Sequence, residues 1–142
     1  MPSAKQWFLL KTEPSVYSID DLERDGATAW DGITSAPALA HLRKARPGDL
    51  AAVYHTGDER RAVGVAEITS APRADADAVG GKPNVFDVRY VARLASPVGL
   101  DAFKASAAFA DSPLVRQGRL SCVPLTAKQW KALLSMAKTK LP

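Results

Sequence analysis

Cysteine is nearly missing: Cys122 is alone among 142 residues. No internal disulfide can form, which excludes the small disulfide-stapled secreted scaffolds. Histidine is scarce too, with His41 and His55 in separate segments. One thiol and two imidazoles without motif spacing do not compose a structural zinc site. Long apolar runs are absent. The longest, such as Trp7-Phe8-Leu9-Leu10 and 50–54, fall far short of the ~20 residues that span a bilayer. Only four apolar residues stand between Lys5 and Lys11, too few for the core of a secretory leader. The expectation is a cytoplasmic protein, or a nuclear one in a eukaryote, that is not secreted and has no membrane contact. No glycine-rich phosphate loop is present, because Gly57, Gly64, Gly80 and Gly81 fit none of those patterns. No repeat and no low-complexity segment occurs.

What is present is ordinary for a globule: 46% hydrophobic and 24% charged residues. A chain of this length buries enough surface for one real core, so 1–142 reads as a single domain. The net charge of +4 permits a polyanionic partner without demanding one.

The chain alternates short strand and helix signals. Residues 7–10 read as a buried strand that Pro14 stops. Ser18 with Asp21 three residues on begins a short helix, which Gly26 ends. Ser35 caps a second helix over 36–44, and Pro47-Gly48 closes it. Residues 49–56 and 61–70 form a hairpin about a turn at 57–60, and 85–94 is the cleanest alternating strand. Helical signals follow at 100–107 and after Ser112-Pro113, where Gly118 stops the second. Residues 122–125 form a short strand. Thr126-x-x-Gln129 is a capping box that opens a last helix to about Lys138, with Trp130, Leu133, Leu134 and Ala137 on one face. Residues 71–84 are a fourteen-residue loop, long for a compact domain. Five or six strands, antiparallel or mixed, with four or five short helices predict an α+β fold: a small barrel or curled sheet with helices at its ends.

Composition and spacing carry no enzyme signature. A Cys122–histidine pair could make a nucleophile, but Cys122 lies in an apolar strand and reads as a buried structural thiol. Asp20-Asp21 could pair for hydrolysis, and helix capping explains them better. The unusual residues lie in loops. Trp30-Asp31-Gly32 follows a non-helical stretch at 27–29 and fits either a core tryptophan with Asp31 capping a turn or the wall of a flat pocket. Lys11-Thr12-Glu13-Pro14 and Tyr54-His55-Thr56 put polar groups at strand ends, which also fits plain solvation. Arg43, Lys44 and Arg46 gather at a helix C-terminus, where cations are favourable in any case.

In order, Trp7-Phe8-Leu9-Leu10-Lys11-Thr12-Glu13-Pro14, Tyr17-Ser18-Ile19-Asp20-Asp21-Leu22 and Trp30-Asp31-Gly32-Ile33 resemble the EVE domain. So do Arg46-Pro47-Gly48-Asp49-Leu50, Val53-Tyr54-His55-Thr56, Val63-Gly64-Val65-Ala66-Glu67 and Leu114-Val115-Arg116-Gln117-Gly118-Arg119-Leu120-Ser121. The resemblance covers nearly the whole chain. It implies a PUA-like curled barrel, related to the YTH and ASCH domains, that reads modified bases, notably modified cytosines such as 5-methylcytosine in DNA. It implies no catalysis, no metal and no cofactor. Position by position it implies a base pocket of Trp30, Asp31, Gly32, Ile33, Lys11, Thr12, Glu13, His55 and Thr56. Ser35, Arg119 and Ser121 would support it from behind, and Arg43, Lys44 and Arg46 would meet phosphates. The partner implied is nucleic acid, DNA rather than RNA, bound by a monomer or weak dimer. Trp30→Ala is expected to remove recognition and leave the fold mostly intact.

The chain departs from the family at one place. After W-D-G-V the family reads close to R-N-Y-Q-A-R-N; here Thr34, Ser35, Ala36, Pro37, Ala38, Leu39 and Ala40 follow Ile33. An arginine, amides and a tyrosine, types that grip phosphates and base edges, are missing. Two alternatives therefore stand beside the reader. One is an RNA- or nucleotide-processing enzyme of ASCH-like type, with Lys11, Glu13, Asp31 and His55 as acid and base. The other is a PUA-like domain that binds a small metabolite or a protein.

Overall fold

A computed structural model describes residues 5–76, 78–117 and 120–141. Its frame is one six-stranded sheet: β1 (Trp7–Thr12), β2 (Ala27–Trp30), β3 (Leu50–His55), β4 (Arg61–Ile68), β5 (Phe86–Gly99) and β6 (Cys122–Leu125), in spatial order β2-β5-β4-β3-β1-β6. All neighbours run antiparallel except β1 and β3, which are parallel. The sheet is mixed and curls into a half-barrel. Five α-helices are described around it: α1 (Ile19–Asp25), α2 (Ala36–Leu42), α3 (Leu100–Ala105), α4 (Pro113–Arg116) and α5 (Ala127–Met136). None of the helices described is long and apolar enough to cross a membrane.

The local signals account for the helices. Ser18 Oγ accepts from Asp21 N at 3.2 Å, and Asp21 Oδ2 accepts from Ser18 N at 2.8 Å, closing the capping box of α1. Gly26, with φ +77°, ends that helix in a conformation that strains other residues. Ser35 Oγ accepts from Ala38 N at 3.3 Å and starts α2. Thr126 and Gln129 form the second capping box, on α5, whose Trp130, Leu133 and Ala137 are buried. Gly118, the expected stop for α4, lies outside the described residues.

Two strands differ from expectation. Residues 27–29, read as a non-helical segment, belong to β2, which pairs its four residues with β5 from Ala27↔Arg89 to Trp30↔Phe86. Strand β5 continues past Leu94 to Gly99 and crosses Pro97. The pairing jumps from Gly64↔Arg93 to Ala62↔Val98, so residues 94–97 bulge out of the ladder and Pro97 needs no ladder partner. The bulge is pinned from outside: Ala95 N donates to Thr139 Oγ1 at 2.8 Å and Ser96 N to Ala137 O at 3.0 Å.

The core is aliphatic on the sheet, with Leu9, Leu10, Val53, Val65 and Ile68, and gains Phe8, Phe86, Phe103 and Phe109. Phe103 and Phe109 meet edge to face, 4.8 Å between centroids. Burial pushes the Cys122 thiol up to about 12, so the cysteine is a small hydrophobe with almost no thiolate.

Candidate functional site

The parallel pairing of β1 and β3 brings two separate motifs side by side. Thr12 is in register with His55, so the Lys11-Thr12-Glu13 and His55-Thr56 segments leave the sheet together. Thr56 N donates to Thr12 O at 2.9 Å, and Thr56 Oγ1 donates to Glu13 Oε2 at 3.2 Å. Gly57 makes room for that carboxylate: at φ +71° a Cβ there would lie 2.9 Å from Glu13 Oε2. Lys11 Nζ stands 5.7 Å from the centroid of the Tyr54 ring. Burial lowers the Lys11 pKa from its ordinary value.

Pro14 then turns the chain sharply. The N–H groups of Val16 and Tyr17 both donate to Glu13 O at 2.9 Å, and Thr12 Oγ1 donates to Tyr17 O at 2.7 Å. The turn presents Tyr17 edge-on to Trp30, centroids 6.3 Å apart and planes at 87°. Burial first, and the nearby Asp25 next, hold the Tyr17 phenol above its usual range.

Strand β2 delivers Trp30 against this turn. Thr12, Val16, Tyr17, Thr28, Ala29, Trp30, Asp31 and Gly32 enclose an open cavity of about 320 Å³. Gly32, at φ +81°, then swings the chain toward α2. Beyond it lies a second cavity of about 290 Å³, between the Asp31–Thr34 stretch, Leu39 and Arg43 of the α2 region, and Asp75, Lys82 and Asn84 of the loop. The two cavities share Asp31 and Gly32, so they adjoin at the Trp-Asp-Gly turn as the two halves of a groove.

The residues expected at the base pocket divide among three places. Trp30, Asp31, Gly32 and Thr12 line the first cavity, and Ile33 lines the second. Lys11, Glu13 and Thr56 sit in the polar cluster at the strand ends and line neither. His55 is only 5% exposed and faces a different cavity, with Ile19, Glu59, Arg61 and Arg93. Trp30 is only 6% exposed, so its ring is core as much as wall. Of the supporting set, Ser35 caps α2, and the Ser121 carbonyl accepts from Lys11 N at 3.0 Å. Arg119 lies outside the described residues. Of the cations, Arg43 lines the second cavity, Lys44 is exposed, and Arg46 turns Nη1 onto Ala45 O at 2.8 Å.

Val16, Tyr17 and Thr28 in the first cavity, and Lys82 and Asn84 in the second, were not singled out by sequence reasoning. Tyr17 belongs to the Tyr17–Leu22 motif of the EVE resemblance, and the length of the loop at 71–84 is the signal for Lys82 and Asn84.

Residues 6–136 match the EVE domain. The chain belongs to the EVE domain family. No curated protein matches it. Among solved structures, this EVE domain is similar to a protein of Rhodopseudomonas palustris studied by NMR, with 36% identity over 94% of this chain and 93% of that one and a TM-score of 0.87. It shares its fold with the human THYN1 protein, solved in complex with DNA containing 5-methylcytosine: 23% identity, 96% and 99% covered, TM-score 0.85. It shares it more distantly with the YTH domain of the Zygosaccharomyces rouxii MRB1 protein, solved with N6-methyladenosine RNA, at 19% identity, 98% and 90% covered and TM-score 0.56. The EVE domain described here is thus PUA-like in fold.

Proposed function

We propose that this chain is a non-catalytic reader of a modified nucleobase, a modified cytosine in DNA, held in the groove at Trp30, Asp31 and Gly32. The observation that carries the reading is that groove, open and walled by an aromatic pair and an exposed carboxylate. It lies on a fold that human THYN1 uses in a complex with 5-methylcytosine DNA.

The physics sets what the groove must supply. Extruding a base from a duplex costs a few kcal/mol. Trp30 is too deeply buried to offer a full ring face, so stacking returns only part of that. Base-edge hydrogen bonds and backbone contacts make up the rest. The Asp31 carboxylate is the group suited to accept from a cytosine amino group. Burying one extra methyl gains about 0.8 kcal/mol, a preference of about fourfold. Stronger selection of a hydroxymethyl group requires a dedicated polar partner, and Thr12 and Thr28 are the hydroxyls at hand.

Acid–base chemistry by Lys11, Glu13, Asp31 and His55 finds less support. His55 is buried with both ring nitrogens engaged, and Lys11 and Glu13 do not line the groove.

The test is a titration at one fixed salt against oligonucleotides carrying cytosine, 5-methylcytosine, 5-hydroxymethylcytosine or N6-methyladenine, with Asp31→Asn alongside. A modification-dependent affinity that Asp31→Asn weakens is the expected result. Equal affinity for all four, or binding to none, overturns the reading.

A further inference from the structure

Six of the described arginines, Arg73 and Arg93 among them, are ion-paired to carboxylates. Arg43 is not. Its Nε donates to Pro83 O at 2.8 Å, which fixes the plane of the guanidinium, and its terminal nitrogens have no carboxylate partner among the described residues. Lys82 immediately precedes Pro83, so the same contact ties the segment that carries a second cation to Arg43. Lys82 is exposed and makes no ion pair among the described residues, and both residues line the second cavity.

The loop that carries Lys82 is braced. Arg73 pairs with Val85, Asp75 N donates to Asn84 Oδ1 at 3.0 Å, and Asn84 Nδ2 donates to Asp75 Oδ1 at 2.9 Å. The Asp75 carboxylate accepts from that amide and keeps its charge. The other acid of the cavity, Asp31, stands at the end shared with the Trp30 cavity. Arg43 and Lys82 line the loop half of the groove together with the Asp75 carboxylate, while Asp31 stands at the junction. A guanidinium fork matches phosphate oxygens, and an ammonium adds a compact charge beside it.

We infer that the loop half of the groove takes a phosphodiester of the bound strand, its oxygens on Arg43 and Lys82, next to the base at Asp31. The inference rests on the reader assignment above. It places on a helix end and a loop the grip that the Thr34–Ala40 stretch lacks, and it leaves Lys44 and Arg46 out.

The experiment is a salt series from 50 to 200 mM with cytosine and 5-methylcytosine oligonucleotides, using the parent, Arg43→Gln and Lys82→Gln. Each substitution is expected to flatten the slope of log K against log salt by about 0.9. Each should weaken both oligonucleotides by the same factor and leave their ratio unchanged. Lys82→Gln removes no described hydrogen bond, so its melting temperature should equal the parent's, and it carries the test if Arg43→Gln folds poorly. An unchanged slope with Lys82→Gln overturns the inference, as does a collapse of the ratio, which would make this half a base contact. Competition by inorganic phosphate or cytidine monophosphate as strong as that by the strand also overturns it. A parent that binds both oligonucleotides equally, with the slope still falling in the variants, would sink the base reading and leave the phosphate grip standing.

Discussion

His55 Nε2 accepts a hydrogen bond from the backbone N–H of Ile19 at 3.0 Å, while Nδ1 lies 3.0 Å from Glu59 Oε1. The accepting role of Nε2 puts the ring proton on Nδ1, where it is donated to the carboxylate. That hydrogen bond holds the Glu59 carboxyl below its usual range. The histidine is a strut between β3 and the first residue of α1. His55→Ala orphans a buried N–H, which costs about 1–3 kcal/mol before any lost packing is counted. His55→Gln, with an amide oxygen in reach of Ile19, should recover part of that and leave base discrimination as it was. Thermal melts and the oligonucleotide titration check both. A His55→Ala protein as stable as the parent would remove the strut.

Trp30 is a wall that the core also needs. With 6% exposure, its removal leaves a cavity, and Trp→Ala changes in cores cost about 3–5 kcal/mol. Trp30→Ala should therefore lower stability by that order, contrary to the sequence-based expectation that the fold is spared. Denaturant unfolding measures it. A loss under 1 kcal/mol would mean that the ring is far less important to packing than its burial implies.

Gly57→Ala should loosen the side-chain link between Glu13 and Thr56. The new methyl would stand 2.9 Å from Glu13 Oε2 on a backbone at φ +71°. The left-handed conformation alone costs a non-glycine residue about 1–2 kcal/mol, and the Thr56–Glu13 hydrogen bond must yield as well. A crystal structure of the variant should show Glu13 displaced. Unchanged stability with Glu13 in place would contradict the account.

The α1 capping box should appear in acid titrations. The Ser18 N–H holds the Asp21 carboxyl below its usual range. A folded value below the unfolded one contributes stability that is complete above about pH 4 and is lost as pH falls through the folded value. The stability gap between the parent and Asp21→Asn should be widest near neutral pH and close toward pH 2. A gap that does not vary with pH would rule out this role for the carboxylate.

The elements legible in the sequence are those fixed by neighbours in the chain. Ser18 with Asp21, and Thr126 with Gln129, announce their helices because the donors and acceptors sit three residues apart. Strand β2 is different: Ala-Thr-Ala-Trp has no alternation of its own and is a strand because β5 lies beside it. The run of β5 over Pro97 depends on Thr139 and Ala137 bonding to the bulge, which no local pattern records. The site divides the same way. Trp30-Asp31-Gly32 could be noticed as a turn, but its neighbours Tyr17 and Lys82 arrive through tertiary packing. The pairing of Thr12 with His55 is a parallel register that ordered motifs alone do not specify. Only the likeness to a family put those motifs in one place beforehand.

Strand β1 lies between β3 and β6, so residues 7–10 pair on one flank with residues 122–125, more than a hundred positions later. During translation the β1–β3 pair can form once residue 55 is free, yet the other flank of β1 keeps its row of unpaired amides until residue 125 has left the ribosome. That flank is a sheet edge with an apolar sequence, Trp7-Phe8-Leu9-Leu10, and edges of that kind invite pairing with other chains. The folding yield of this protein is thus tied to the arrival of β6. A fragment of residues 1–120, which lacks β6, should aggregate on refolding, whereas residues 1–142 should not.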